Sequence, residues 1–150
     1  MAHTFTALLT HIVFSTSERT PFLTDDIRPD AHAYLGGIAR ESGCSPIAIG
    51  GTTDHVHLLM RLPADIALAD CLRVIKANSS RWVKEKWPKR RAFAWQGGYA
   101  AFSVSESNRG AVIRYIQDQE RHHQRISFHD EFVALLKKHG VEFDERYMWQ

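Results

Sequence analysis

The sequence predicts one α+β domain over residues 1–150: a ferredoxin-like (RRM-like) split βαβ antiparallel sheet with additional C-terminal helices. Three observations predict it. Apolar periodicity alternates between strand and helix spacing in the order β-α-β-β-α-β(β)-α-α. Glycine and proline punctuate the segments where each should stop. A chain of 150 residues, 44% of them hydrophobic, is long enough for one sizeable core.

Residues 7–16 are rich in β-forming side chains and read as the first strand. Residues 25 to about 41 read as a helix stopped by Gly43. Residues 46–50 form a short strand, and Gly50-Gly51-Thr52-Thr53 a turn. The next strand runs Thr53-Asp54-His55-Val56-His57-Leu58-Leu59-Met60. Residues 65 to about 86 read as a helix closed by Pro88. Residues 93–95 and 99–104 flank Gly97-Gly98 and read as a hairpin. A loop at 105–110 leads into a helix over about 111–124, and a last helix covers about 130–138, stopped by Gly140. Such a sheet has one helix-covered face and leaves the other for a ligand or a further layer.

Strand side chains alternate, so Val56, Leu58, Met60 and Leu62 form an apolar face, while His55 and His57 project together from the opposite one. Histidine is the commonest side-chain metal ligand. Spacing alone leaves metal or phosphate binding and a structural pair both open. His11 either lines the same face or is a buried structural histidine. Asp54 either orients a histidine or belongs to the turn.

A second constellation lies on the 111–124 helix. Tyr115 and Gln119 are four residues apart and share one face, about 6 Å apart at Cβ, and His122 and His123 follow one turn later. Taken alone, Tyr115 also reads as a surface tyrosine with a polar neighbour. A phenol titrates near pH 10 and is a weak nucleophile at neutral pH. A divalent metal held by two histidines and the Gln119 side-chain oxygen would stabilise charge developing on a phosphodiester. That combination fits covalent phosphoryl transfer.

Net charge is only +2, but it is unevenly placed. Residues 73–91 carry Arg73, Lys76, Arg81, Lys84, Lys86, Lys89, Arg90 and Arg91 against the single acid Glu85. This is a candidate footprint for a phosphate backbone or a solvated helix face. Trp82, Trp87, Phe93 and Trp95 are interleaved with it, available for base stacking or for the core. Cys44 and Cys71 lack metal-motif spacing and read as ordinary thiols. No apolar run reaches membrane-span length, and the N-terminus lacks the basic start and apolar run of a secretory signal. A cytoplasmic protein is the expectation.

The ordered series His11-Ile12-Val13-Phe14-Ser15-Thr16, Gly50-Gly51-Thr52-Thr53-Asp54-His55-Val56-His57-Leu58-Leu59, Ile75-Lys76-Ala77-Asn78-Ser79-Ser80, Trp95-Gln96-Gly97-Gly98-Tyr99, Phe102-Ser103-Val104-Ser105, Tyr115-Ile116-Gln117-Asp118-Gln119 with His122-His123, and Asp144-Glu145-Arg146-Tyr147-Met148-Trp149 resembles the single-tyrosine HUH (IS200-like) transposases of small bacterial insertion sequences. The resemblance implies that Tyr115 attacks single-stranded DNA at an element end, leaving a 5′-phosphotyrosine and a free 3′-OH. It implies Mg²⁺ or Mn²⁺ bound by His55, His57 and Gln119, DNA hairpins as partners, and a homodimer whose tyrosine helix completes the partner's metal site. The 105–110 loop, with Gly110, would be the hinge of that exchange. Lys76, Asn78, Arg81 and Lys84 in the basic helix are the expected DNA contacts. One departure is Ser17-Glu18 before Arg19, where many relatives carry a basic residue. Two rival readings stand beside this one. The same sheet could bind hairpin DNA or RNA without cutting it, or His55, His57 and His122 or His123 could hold zinc.

Overall fold

The computed structural model describes residues 2–150. The chain runs β1 (Leu9–Ser15), α1 (Arg28–Glu41), β2 (Ser45–Gly51), β3 (His55–Arg61), α2 (Leu68–Lys86), β4 (Ala100–Val104), α3 (Arg109–Gln117), α4 (Gln119–His122) and α5 (Phe128–Lys138). The strands form an antiparallel sheet in the order β2-β3-β1-β4. This is the predicted split βαβ arrangement, with β1 and β3 central.

The β1–β3 register places Ile12 opposite Leu58 and Phe14 opposite Val56. These side chains pack with Leu35 of α1 and Leu72 and Ile75 of α2 into the main core. Side chains one position along point the other way. That second face is not left open: it acquires a layer of its own. Ile116 of α3 packs on Leu9, Ala48 and Leu59, while Phe128, Phe132 and Leu136 of α5 pack on Val13, Ala100 and Phe102. The histidine face of β3 therefore lies beneath helices on both flanks.

Gly50 allows α3 to approach so closely. A Cβ at this position would collide with the backbone carbonyl of Ile116, so helix and edge strand meet backbone to backbone.

Three expectations are corrected. Residues 93–95 and 99–104 do not pair with each other. β4 pairs with β1, and Trp95 bridges Thr16 further along the same edge. The two segments form one interrupted strand line, in which the Gln96 side chain accepts the Ser15 N–H at 2.7 Å. The 111–124 helix is broken at Asp118 (φ −101°, ψ 20°), between Tyr115 and Gln119. The predicted 105–110 loop is shorter: Gly110 lies in the first turn of α3, and Ser105–Asn108 close into a tight turn through the Asn108 N–H and the Ser105 carbonyl. Boundaries moved elsewhere by a few residues. α5 begins at Phe128 because Ser127, not a later residue, caps it, accepting the Asp130 N–H at 3.1 Å.

Candidate active site

β3 supplies the floor of the site. His55 and His57 are fully buried on the same face. Each ring is fixed through Nδ1. In His55 it meets Asp54 Oδ1 at 2.8 Å and Thr52 Oγ1 at 3.1 Å, and in His57 it meets His11 Nε2 at 2.8 Å. Asp54 and His11 thus act on the histidine pair, as orienting partners behind a ligand do. His55 also stacks on Phe128, with ring centroids 3.9 Å apart and planes at 9°. Both Nε2 atoms are left facing the space beneath α3 and α5.

Gln119, 1% exposed, enters that space from the first turn after the Asp118 break. Its Oε1 lies 2.9 Å from His55 Nε2 and 3.0 Å from His123 Nε2. Tyr115, one turn earlier, directs its hydroxyl inward to donate to Glu131. The structure therefore brings His55, His57, Gln119 and Tyr115 together within one chain.

Glu131 of α5 was not anticipated from the sequence, yet it is the hub of the site. Its side chain is 1% exposed. Oε1 lies 3.0 Å from His57 Nε2 and 3.1 Å from His123 Nε2. Oε2 accepts from Gln119 Nε2 at 3.1 Å and from the Tyr115 hydroxyl, and lies 3.3 Å from His122 Nε2. His55, His57 and Glu131 offer donor atoms close enough to share one metal ion, as do His122, His123 and Glu131. The signal in the sequence was an acid among Phe128, Phe132 and Leu135, on the helix stripe that should be apolar.

Electrostatics separate these groups. Burial alone would raise the Glu131 carboxyl, but hydrogen bonds from His123 and His57 hold it well below the usual carboxylate range. Burial lowers His57 to about 4 against the pull of Glu131. Burial, then the His57 ring, lowers His11 to about 3. Burial would lower His123 too, but Glu131 overrides it and raises the group. Burial, then the Glu131 carboxylate, pushes the Tyr115 phenol well above its ordinary value. A phenol so placed is a poor nucleophile unless a cation offsets the carboxylate beside it.

The predicted DNA contacts lie elsewhere. α2 covers the opposite face of the sheet, so Lys76, Asn78, Arg81 and Lys84 are not brought to the tyrosine. Lys76 Nζ donates to the carbonyls of Gln96 (2.6 Å) and Gly98 (2.7 Å), pinning the interruption before β4. Asn78 accepts from Arg81 at 3.0 Å. Arg81 and Lys84 are exposed and line a shallow groove with Arg91. Of the interleaved aromatics, Phe93 and Trp95 are core, and Trp82 stacks on Tyr34 at 4.2 Å. Two clefts flank α3. One, about 610 Å³, is bordered by Arg28, His32, Gln119 and Arg121. The other, about 280 Å³, is bordered by His11, Asn108, Tyr115 and His139. No helix among the described residues is long and apolar enough to cross a membrane.

The chain is 26% identical over 114 residues to the ISDra2 transposase TnpA of Deinococcus radiodurans, spanning 73% of this chain and 81% of that protein. Its fold resembles the crystal structure of a candidate transposase from D. radiodurans R1 (TM-score 0.67, 24% identity, 79% of this chain and 95% of that one). It also resembles a REP-associated tyrosine transposase bound to a REP hairpin (TM-score 0.61, 15% identity, 91% and 86%). The family described as "Transposase IS200 like" matches residues 4–119, a span that includes both β3 histidines, Tyr115 and Gln119 and stops short of His122, His123 and Glu131. A match over that much of the chain, on a fold shared with tyrosine transposases, makes this protein a member of the IS200-like transposase family.

Proposed function

We propose that the protein cleaves and rejoins single-stranded DNA at insertion-sequence ends through a 5′-phosphotyrosine at Tyr115, with Mg²⁺ or Mn²⁺ held by His55, His57 and Gln119. The observation that carries this reading is the convergence of the Tyr115 hydroxyl, the Gln119 amide and two imidazole Nε2 atoms on one buried point. The donor set fits such an ion, because both rings are fixed through Nδ1 and present Nε2 to the same space. When bound, the metal supplies positive charge to the scissile phosphate and to the developing phenolate.

The chain's own groups do the rest. Tyr115 oxygen attacks phosphorus, a P–O bond to the phenol forms, and the bond to the 3′ oxygen breaks. The phenol gives up its proton and the leaving 3′ oxygen gains one. The reverse step from a different 3′-OH joins strands without an external energy source. Asp54 and His11 hold the imidazoles, and Phe128 shields His55.

DNA hairpins are the proposed partner, with Arg81 and Lys84 contacting strand outside the site. The site of action would be the cytoplasm, at the nucleoid. A homodimer that exchanges tyrosine helices is the arrangement implied by resemblance. The four groups also meet within a single chain, so assembly in cis is the alternative to that exchange. Mixing Tyr115→Phe with His57→Ala protein distinguishes the two, since only exchange in trans restores cleavage.

The deciding experiment incubates labelled single-stranded DNA from the flanks of the gene with protein and Mg²⁺ or Mn²⁺ on a denaturing gel. A metal-dependent covalent band, absent in Tyr115→Phe, is the expected result. Hairpin binding without an adduct under either metal would replace this reading with the non-catalytic one, and tight zinc without an adduct would favour the zinc site.

A further inference from the structure

We infer that Glu131 is itself a metal ligand, binding through Oε1 while Oε2 holds the hydroxyl of Tyr115, so that one carboxylate joins metal and nucleophile. This rests on the metal-dependent reading above and goes beyond its three-ligand set. The family match ends at residue 119, so Glu131 comes from a part of the chain that match does not reach.

An ion of the Mg²⁺ type holds its donors octahedrally at about 2.1 Å, which sets neighbouring donor atoms about 3 Å apart. Two of the observed separations match such edges and a third is wider. His55 Nε2 to Gln119 Oε1 is 2.9 Å, His57 Nε2 to Glu131 Oε1 is 3.0 Å, and His55 Nε2 to Glu131 Oε1 is 3.6 Å. Gln119 Oε1 and Glu131 Oε1 are further linked by His123 Nε2, at 3.0 and 3.1 Å. Two imidazoles and an amide are placed to hold such an ion but bring no negative charge, and a hard divalent ion prefers to have a carboxylate among its ligands. Among the described residues, Glu131 is the one fully buried carboxylate, and it lies beside these donors. The second donor trio, His122, His123 and Glu131, uses the same carboxylate and is not an independent site. The other oxygen already carries the tyrosine, which fixes the phenol beside the place where metal and phosphate would meet.

Titration of the full chain with Mn²⁺ alone, following free ion by electron paramagnetic resonance, tests this without DNA. Glu131→Gln preserves the side-chain shape and Glu131→Ala removes it, with folding checked by circular dichroism. At least tenfold weaker Mn²⁺ binding in both, comparable to Gln119→Ala, is expected. A folded Glu131 variant that binds Mn²⁺ as tightly as wild type, or more tightly, overturns the assignment, because the carboxylate then only fills the space. Wild type that binds no Mn²⁺ overturns the metal reading and the assignment together. Glu131-dependent Mn²⁺ binding without any DNA adduct upholds the ligand and removes the cleavage reading.

Discussion

Beneath α1 and α2, the sheet presents Ile12, Phe14, Val56, Leu58 and Met60, fully buried against other hydrocarbon. Beneath α3 and α5, the residues between them present His11, Ser15, His55 and His57, which are just as deeply buried. Burying a large apolar side chain stabilises by about 1.5–3 kcal/mol. Burying a polar group costs free energy unless each of its atoms finds a partner. On the second face the partners are present, converging on Glu131 and Gln119. The first face is apolar throughout, while the second combines an apolar layer with a polar cluster kept in a fixed geometry. Alternation along β3 lets one strand serve both.

Substitutions should separate the faces. The largest expected effect is Tyr115→Phe. It removes the covalent DNA adduct entirely while the melting temperature stays within a few degrees of wild type, as read by denaturing gel and circular dichroism. Leu58→Ala, on the other face, should cost about 2–5 kcal/mol in urea unfolding. The fraction still folded should form adduct at the normal rate. Loss of adduct out of proportion to folding would show that the faces are coupled.

Gly50→Ala sharpens the boundary between them. The added methyl must lift α3 from β2, and a displacement of about 1 Å at a reacting group costs about a hundredfold in rate. Single-turnover cleavage should fall by that order with the main core intact. Unchanged cleavage would mean that α3 tolerates the shift.

Acid should act on the polar face. His57 and His11 accept protons only near pH 4 and pH 3 in the folded chain, against about 6.5 when unfolded. The unfolded state then binds more protons, and stability falls as pH drops from about 6.5 towards 4. The depressed Glu131 extends that loss at lower pH, and the raised His123 offsets part of it. Urea melts in EDTA should show this slope, and His11→Asn should flatten it. The smallest effect is expected for Arg81→Ala with Lys84→Ala. Hairpin binding should weaken, with a shallower salt dependence by about one to two units of slope, and metal binding should not change.

The sequence was legible wherever a pattern is local. The His-Val-His alternation, the β3 apolar stripe and the Tyr115–Gln119 spacing depend on a few neighbouring residues, and the structure places each as expected. Gly97-Gly98 misled because a turn signal does not say which strand the flanking residues will pair with. There Lys76 and the Gln96 side chain take up hydrogen bonds that a hairpin ladder would make. The Asp118 break carries no glycine or proline to announce it. Glu131 was hidden for a different reason. Its partners come from β3, α3 and the residues around α4, up to 74 positions away, and only an acid out of place on an apolar helix stripe hinted at them.

The contact of Ile116 with Gly50 has a mechanical consequence. Side chains packed against one another can slide and re-rotamerise, but two backbones in contact leave no slack. The reach of Tyr115 is thereby referenced to an edge strand instead of to a loop. In the proposed cleavage and its reversal, such a seat would return the tethered strand end to the coordinates at which it was cut.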